Sequence, residues 1–240
     1  MNRTEFLRKG FGSLVGMTTI IPIINACKSS SIEPVIDPLT GTATGSTNGN
    51  SASDCKITPT ETEGPFPTKI PTNFVLKDIS SDRTGVPMIM NITIKNGNNS
   101  CNAMAGALVD VWHCDKDGNY SEYGNSSAVH FLRGRQTTDA SGIVGFTSVF
   151  PGWYSGRAPH IHIHIFSATG KSLLVTQIAF PKTICDVVYG TATNFYTRGL
   201  QDTTNERDGI FSDGYTTELA TVGGNIKDGY TLTHTIVVAG

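Results

Sequence analysis

The chain has 240 residues with 38% hydrophobic content, enough for one sizeable core plus appendages. A formal charge of -2 and a pI near 6.3 provide no basic field for nucleic acid, which excludes that class of partner. With 26 glycines and 11 prolines, the composition favours turns and short strands over a helical bundle.

In chain order, residues 1–27 read as an export signal. Arg3, Arg8 and Lys9 precede a short apolar run, Phe11 to Ile24, too short for a comfortable membrane span. The run ends in Ile24-Asn25-Ala26-Cys27, which is similar to a bacterial lipobox, so Cys27 is the expected lipid anchor and the cell envelope the expected location. Residues 28–54 are rich in Ser, Thr, Gly and Pro without apolar periodicity; they cannot offset their ordering entropy and read as a disordered tether. The folded domain is expected over 55–240. Its cysteines, Cys55, Cys101, Cys114 and Cys185, are even in number and predict two disulfides in an exported domain. A strand between Cys101 and Cys114 would separate them beyond the ~5.5–6 Å of a bridge, which leaves two pairings open.

Alternation predicts strands over 88–95 (MIMNITIK), 107–113, 142–149, 158–166, 172–180 and 230–238. In the second of these, Leu108 and Val109 fall on opposite faces, the mark of a strand covered on both sides. Turn pairs such as Asn96-Gly97, Asp117-Gly118 and Thr169-Gly170 separate them. Residues 186–222 read as polar loop with room for one short helical turn. The expected fold is all-β, an antiparallel β-sandwich with long loops at one end.

The chemistry concentrates between Phe150 and Ile165, FPGWYSGRAPHIHIHI. On a strand, His160, His162 and His164 share one face and Ile161, Ile163 and Ile165 the other. Neighbouring histidines then stand ~6–7 Å apart along the strand, close enough for two imidazoles to meet at one metal ion. Tyr154 and Arg157 lie on the loop feeding this strand, and Tyr120 follows the turn Asp117-Gly118-Asn119. Phenolate is a hard anionic donor, and two of them favour a small, highly charged cation such as Fe(III) over Zn(II) or Cu(I). This charge argument depends on Tyr120, Tyr154, His160 and His162 converging.

These residues bring the chain to a family it resembles, the intradiol ring-cleavage dioxygenases. The likeness runs through Thr62-Glu63-Gly64-Pro65-Phe66, Val109-Asp110-Val111-Trp112-His113, Gly118-Asn119-Tyr120, Phe131-Leu132-Arg133-Gly134, Pro151-Gly152-Trp153-Tyr154, Arg157-Ala158-Pro159-His160-Ile161-His162 and Asp208-Gly209-Ile210-Phe211. The resemblance implies Fe(III) held by Tyr120, Tyr154, His160 and His162, with Tyr154 the ligand that leaves when substrate binds. It implies charge stabilisation by Arg157 and a place beside the substrate ring for Gln177. It also implies a catechol-type substrate, O2 as co-substrate and a cis,cis-muconate-type diacid as product. His164 is expected to stay outside the ligand set and His113 to be structural; Trp153 is divided between pocket wall and packing. Tyr123 competes with Tyr120, and the family pattern favours Tyr120.

Two alternatives use the same residues. A transthyretin-like binding module would need only the strands and turns, and a copper- or zinc-binding protein would use His160, His162 and His164.

Overall fold

A computed structural model describes residues 55–240. The export segment, Cys27 and the tether lie outside the described residues. Alternation does in space what it does in sequence. In β1 (Pro87–Asn96) every second side chain, Met88, Met90, Ile92 and Ile94, is buried. After a two-residue strand β2 (Asn102–Ala103) come β3 (Leu108–Trp112), β4 (Arg133–Thr137), β5 (Ile143–Val149), β6 (His160–Phe166) and β7 (Ser172–Ala179). A helix α1 (Lys182–Thr191) follows, then β8 (Thr221–Asn225) and β9 (Gly229–Val238).

The strands form two sheets. One runs β2-β1-β9-β8, with β5 also paired to β1; the other runs β4-β3-β6-β7. All pairings of the second sheet are antiparallel. The first departs from the expected antiparallel pattern, because β1 and β9 run parallel. Both sheets feed one core: Met88, Met90, Ile92, Phe146, Leu232 and Ile236 from the first, Val109, Val111, Ile161, Ile163, Ile165 and Ile178 from the second. β3 is covered on both faces, as its sequence predicts.

Two elements differ from the sequence reading. β4 (RGRQT) has no apolar alternation to announce it. In α1, Cys185, Val188 and Tyr189 make a buried i, i+3, i+4 stripe, but Val187 on the open side blurs the period.

The expectation of two disulfides is corrected to one. Cys55 and Cys101 are bridged, with Cα atoms 5.7 Å apart. Cys114 packs with Trp112 and Tyr120 while Cys185 is on the buried face of α1, so these two thiols belong to different buried clusters and are free among the described residues. Burial pushes the Cys114 thiol up to about 12, which leaves it unreactive. The bridge closes a separation of 46 residues, for which chain entropy gives about 4 kcal/mol. Cys55→Ser with Cys101→Ser is therefore expected to lower the urea-unfolding free energy by about 2–4 kcal/mol without changing the fold seen by circular dichroism.

A pH dependence follows from His234. It lies on the core face of β9 between Leu232 and Ile236, and its Nε2 has no partner among the described residues. Burial lowers its pKa from 6.5 to about 4. The unfolded chain therefore binds the proton first as pH falls. Stability is complete above about pH 6.5 and is lost as pH drops towards 4. The loss is worth about 3 kcal/mol at 1.36 kcal/mol per unit. His113, also lowered to about 4 by burial, acts in the same window. His234→Leu should flatten the urea midpoint between pH 6.5 and 4 relative to the parent; an unchanged slope would refute the assignment.

Candidate metal centre

The second sheet turns its other face to the site, and its register builds the site's floor. Arg133 of β4 stands opposite Trp112 of β3, Trp112 opposite His162 of β6, and His162 opposite Gln177 of β7. Residues directly opposite share a face, so these four side chains form one row across four strands. Trp112 and His162 stack with ring centroids 5.1 Å apart and planes 4° from parallel.

His160 enters one step along β6. Its Nδ1–H donates to the Ala158 carbonyl at 2.6 Å, which leaves a bare lone pair on Nε2. That Nε2 lies 3.1 Å from His162 Nε2. The phenol oxygens of Tyr120 and Tyr154 lie 3.4 and 3.2 Å from the same atom. The four side chains named from the sequence thus converge.

Two loops deliver the phenols, and they are fastened to each other. Asp115 shapes the turn before Tyr120 by accepting from the Asp117 and Asn119 amides. Its carbonyl accepts from Gly152 N in the loop that carries Tyr154. Arg198 joins the same loops by donating to the Asp117 and Trp153 carbonyls. Gly118 is required between them: it sits at φ +86°, and a Cβ there would meet the Trp153 carbonyl oxygen at 2.7 Å. Trp153 packs by its ring and donates to the Gly199 carbonyl, which settles its role as packing.

The segment Thr62–Phe66 covers the other side. Phe66 stacks on Tyr120 at 4.8 Å. The Thr62 carbonyl accepts from Gln177 Nε2. Gly64, at φ +67°, leaves room for the His162 ring, whose Cε1 would lie 2.9 Å from a Cβ. Arg157 donates through Nη2 to Gln177 Oε1 and through Nε to Asp208. Gln177 is fully buried and bridges Arg157 and the covering segment.

The remaining aromatic and imidazole groups separate cleanly. Tyr123 donates its hydroxyl to the Pro67 carbonyl and stays out of the cluster. His164 bonds Glu63 and Ser172. His113 bridges the Cys114 carbonyl and Ser148. Sequence reasoning placed Asp208 in a family-like motif without giving it a role, and gave Asp202 none either. The latter accepts from Ser155 Oγ and Gly156 N and fixes the short turn after Tyr154. Both are acidic residues in a loop-like stretch, and nothing local tells which distant segment they meet.

Electrostatics favours neutral donors. Burial, aided by Arg157, lowers His160 to about 3, and burial with His160 beside it holds His162 well below its ordinary value. Both imidazoles offer lone pairs at neutral pH. Burial raises both phenols, with Arg157 partly opposing the rise at Tyr154. These phenols ionise only when a cation compensates their charge. His160 Nε2 lies 3.1–3.4 Å from each of the other three donor atoms, which suits one small cation, since bonds of about 2 Å place neighbouring donors roughly 3 Å apart. Among the described residues, no group of three His, Cys, Asp or Glu side chains could hold a metal ion. An ion here depends on the phenols, and the His160, His162, His164 alternative has no geometry behind it.

Comparison with known proteins agrees. The family model described as Dioxygenase (Dioxygenase_C) matches residues 67–209. The chain is 41% identical over 92 residues to catechol 1,2-dioxygenase 2 of Acinetobacter lwoffii, covering 31% of this chain and 34% of that protein. It is 34% identical over 97 residues to a chlorocatechol 1,2-dioxygenase of Rhodococcus opacus, covering 32% and 37%. The chain therefore matches only about a third of the length of these curated relatives. An intradiol ring-cleavage dioxygenase from Tetranychus urticae superposes with a TM-score of 0.69 at 26% identity, over 77% of this chain and 95% of that one. A family match that crosses more than half the chain, and passes through every residue of the cluster, places this protein in the intradiol ring-cleavage dioxygenase family.

Proposed function

We propose that this protein is an Fe(III)-dependent intradiol dioxygenase that adds both atoms of O2 to a catechol-type diol and opens the ring between the hydroxyls, giving a cis,cis-muconate-type diacid. The observation that carries this reading is the approach of two phenol oxygens and the His162 Nε2 to within 3.1–3.4 Å of His160 Nε2. Tyr120, Tyr154, His160 and His162 would hold the ion on the outer face of a β-sandwich. Ferric iron supplies Lewis acidity that makes the bound ring, rather than the metal, reactive towards O2.

The chain's own residues do the rest. Tyr154, half-buried on its loop, takes a catechol proton at its oxygen; burial raises its affinity for that proton. The Arg157 guanidinium stabilises negative charge developing on the substrate. Trp112, Phe66 and the Gly64 backbone keep water from the imidazole and phenol faces they cover. The envelope location and the lipid anchor at Cys27 belong to the same proposal and rest on the first 27 residues.

Oxygen uptake with catechol, protocatechuate and hydroxyquinol, with isotopically heavy O2 and product masses, tests the reading. One O2 consumed per ring and both labelled atoms in an acyclic diacid support it. Iron-loaded protein that is colourless and consumes no O2 refutes it in favour of a binding module. Only Ser155 and Gly156, both exposed and pinned by Asp202, separate Tyr154 from Arg157. This low rim predicts turnover of ring-substituted catechols, and a panel in which every substituent abolished turnover would overturn that prediction.

A further inference from the structure

We propose that Asp208 is the positioning residue that holds Arg157 in its working orientation, an inference that rests on the dioxygenase reading above. Asp208 has a side chain with no exposed surface, yet its carboxylate is saturated. Both oxygens accept from Arg157 Nε at 2.9 Å, Oδ2 accepts from the Ala158 amide at 2.8 Å, and Oδ1 from the Ile210 amide at 2.9 Å. Charge-assisted bonds of this kind carry orientation as well as energy. Asp208 takes Arg157 Nε and Gln177 takes Nη2, while Nη1 has no protein acceptor among the described residues. A guanidinium gripped on two nitrogens and free on the third is set to meet an anionic partner without reorganising.

The surroundings make Asp208 rigid. The Phe211 ring lies 5.8 Å from the Arg157 guanidinium carbon, and Asn205 ties the same stretch to the Phe180 carbonyl just past β7. The Ala158 amide, on the residue next to Arg157, fastens the same carboxylate to the backbone from which the guanidinium extends.

Steady-state kinetics on the iron-loaded full chain with catechol tests this. Asp208→Asn is expected to lower kcat about 30-fold, with Arg157→Met costing roughly 100-fold. KM should move by less than about threefold, and iron content and the visible charge-transfer band should remain. The discriminating arm is the double variant, which should be no slower than Arg157→Met alone, because Asp208 acts through Arg157. A carboxylate that merely held its loop together would give losses that multiply, and that outcome overturns the proposal. So does an Asp208→Asn kcat within about twofold of the parent. If Asp208→Asn melts below the assay temperature, Asp208→Glu replaces it. That variant keeps the charge but shifts the carboxylate by one methylene, and kcat should fall about tenfold with parent-like melting; a parent-like rate overturns the proposal. Failure of the dioxygenase reading itself is separate, since the parent protein would then consume no O2.

Discussion

Tyr120→Phe is expected to produce a folded protein with a weakened, shifted visible band and ring cleavage reduced more than about 100-fold, since altering even a partner of a metal ligand costs roughly 10–100-fold. The Tyr120 hydroxyl is buried and meets His160 Nε2 at 3.4 Å, with the Tyr154 hydroxyl beside it. Removing it takes away an anionic donor and leaves the packing against Phe66 intact. The melting temperature should move little, because the net contribution of such neutral hydroxyl contacts is small. Tyr123→Phe is the control: its hydroxyl is engaged by the Pro67 carbonyl, so colour and rate should survive. Iron content, visible spectrum and O2 uptake measured on both variants decide the matter. A Tyr120→Phe protein with an unchanged band and rate would remove the phenol from the ligand set.

Arg133→Met should give the largest loss of stability, about 3–5 kcal/mol in urea unfolding, the usual cost of stranding one partner of a buried ion pair. The Arg133 side chain is 1% exposed, and Glu122, at 3.4 Å, is 4% exposed. Its guanidinium also donates to the Ser121 hydroxyl and carbonyl, to the Phe66 carbonyl and to Thr68. Those bonds tie the residue next to Tyr120 to the segment that stacks upon Tyr120. Adding Glu122→Gln should recover part of the loss, because it removes a charge left with only the Lys69 amide and the half-exposed His130 as partners. A single-variant loss below about 1 kcal/mol would contradict this account.

The histidine–isoleucine alternation of β6 was readable because a period of two has one structural solution when one face is apolar. The four converging donors were readable for a different reason: the tyrosine and histidine motifs resemble those of a family, and the charge argument named the same ion. Residues whose meaning depends on distant chain were not readable. Asp208 acquires its role only when the loop after α1 brings it to Arg157, 51 positions away. The parallel pairing of β1 with β9 joins the two ends of the domain, and no local pattern encodes it. β4 is hidden because what it buries is Arg133, whose partners lie on two other segments. The cysteine count suggested two bridges, but chemistry between thiols needs proximity, and α1 carries Cys185 away from Cys114.

The row Arg133, Trp112, His162, Gln177 has one more implication. Slipping β6 by a single residue against its neighbours would exchange the imidazoles with the isoleucines, thrusting nitrogen bases into oil and greasy branches towards the phenols. No half-correct sheet can carry half a site. Assembly of this centre is therefore all or nothing, and pairing of β6 with β3 and β7 serves as the proofreading step.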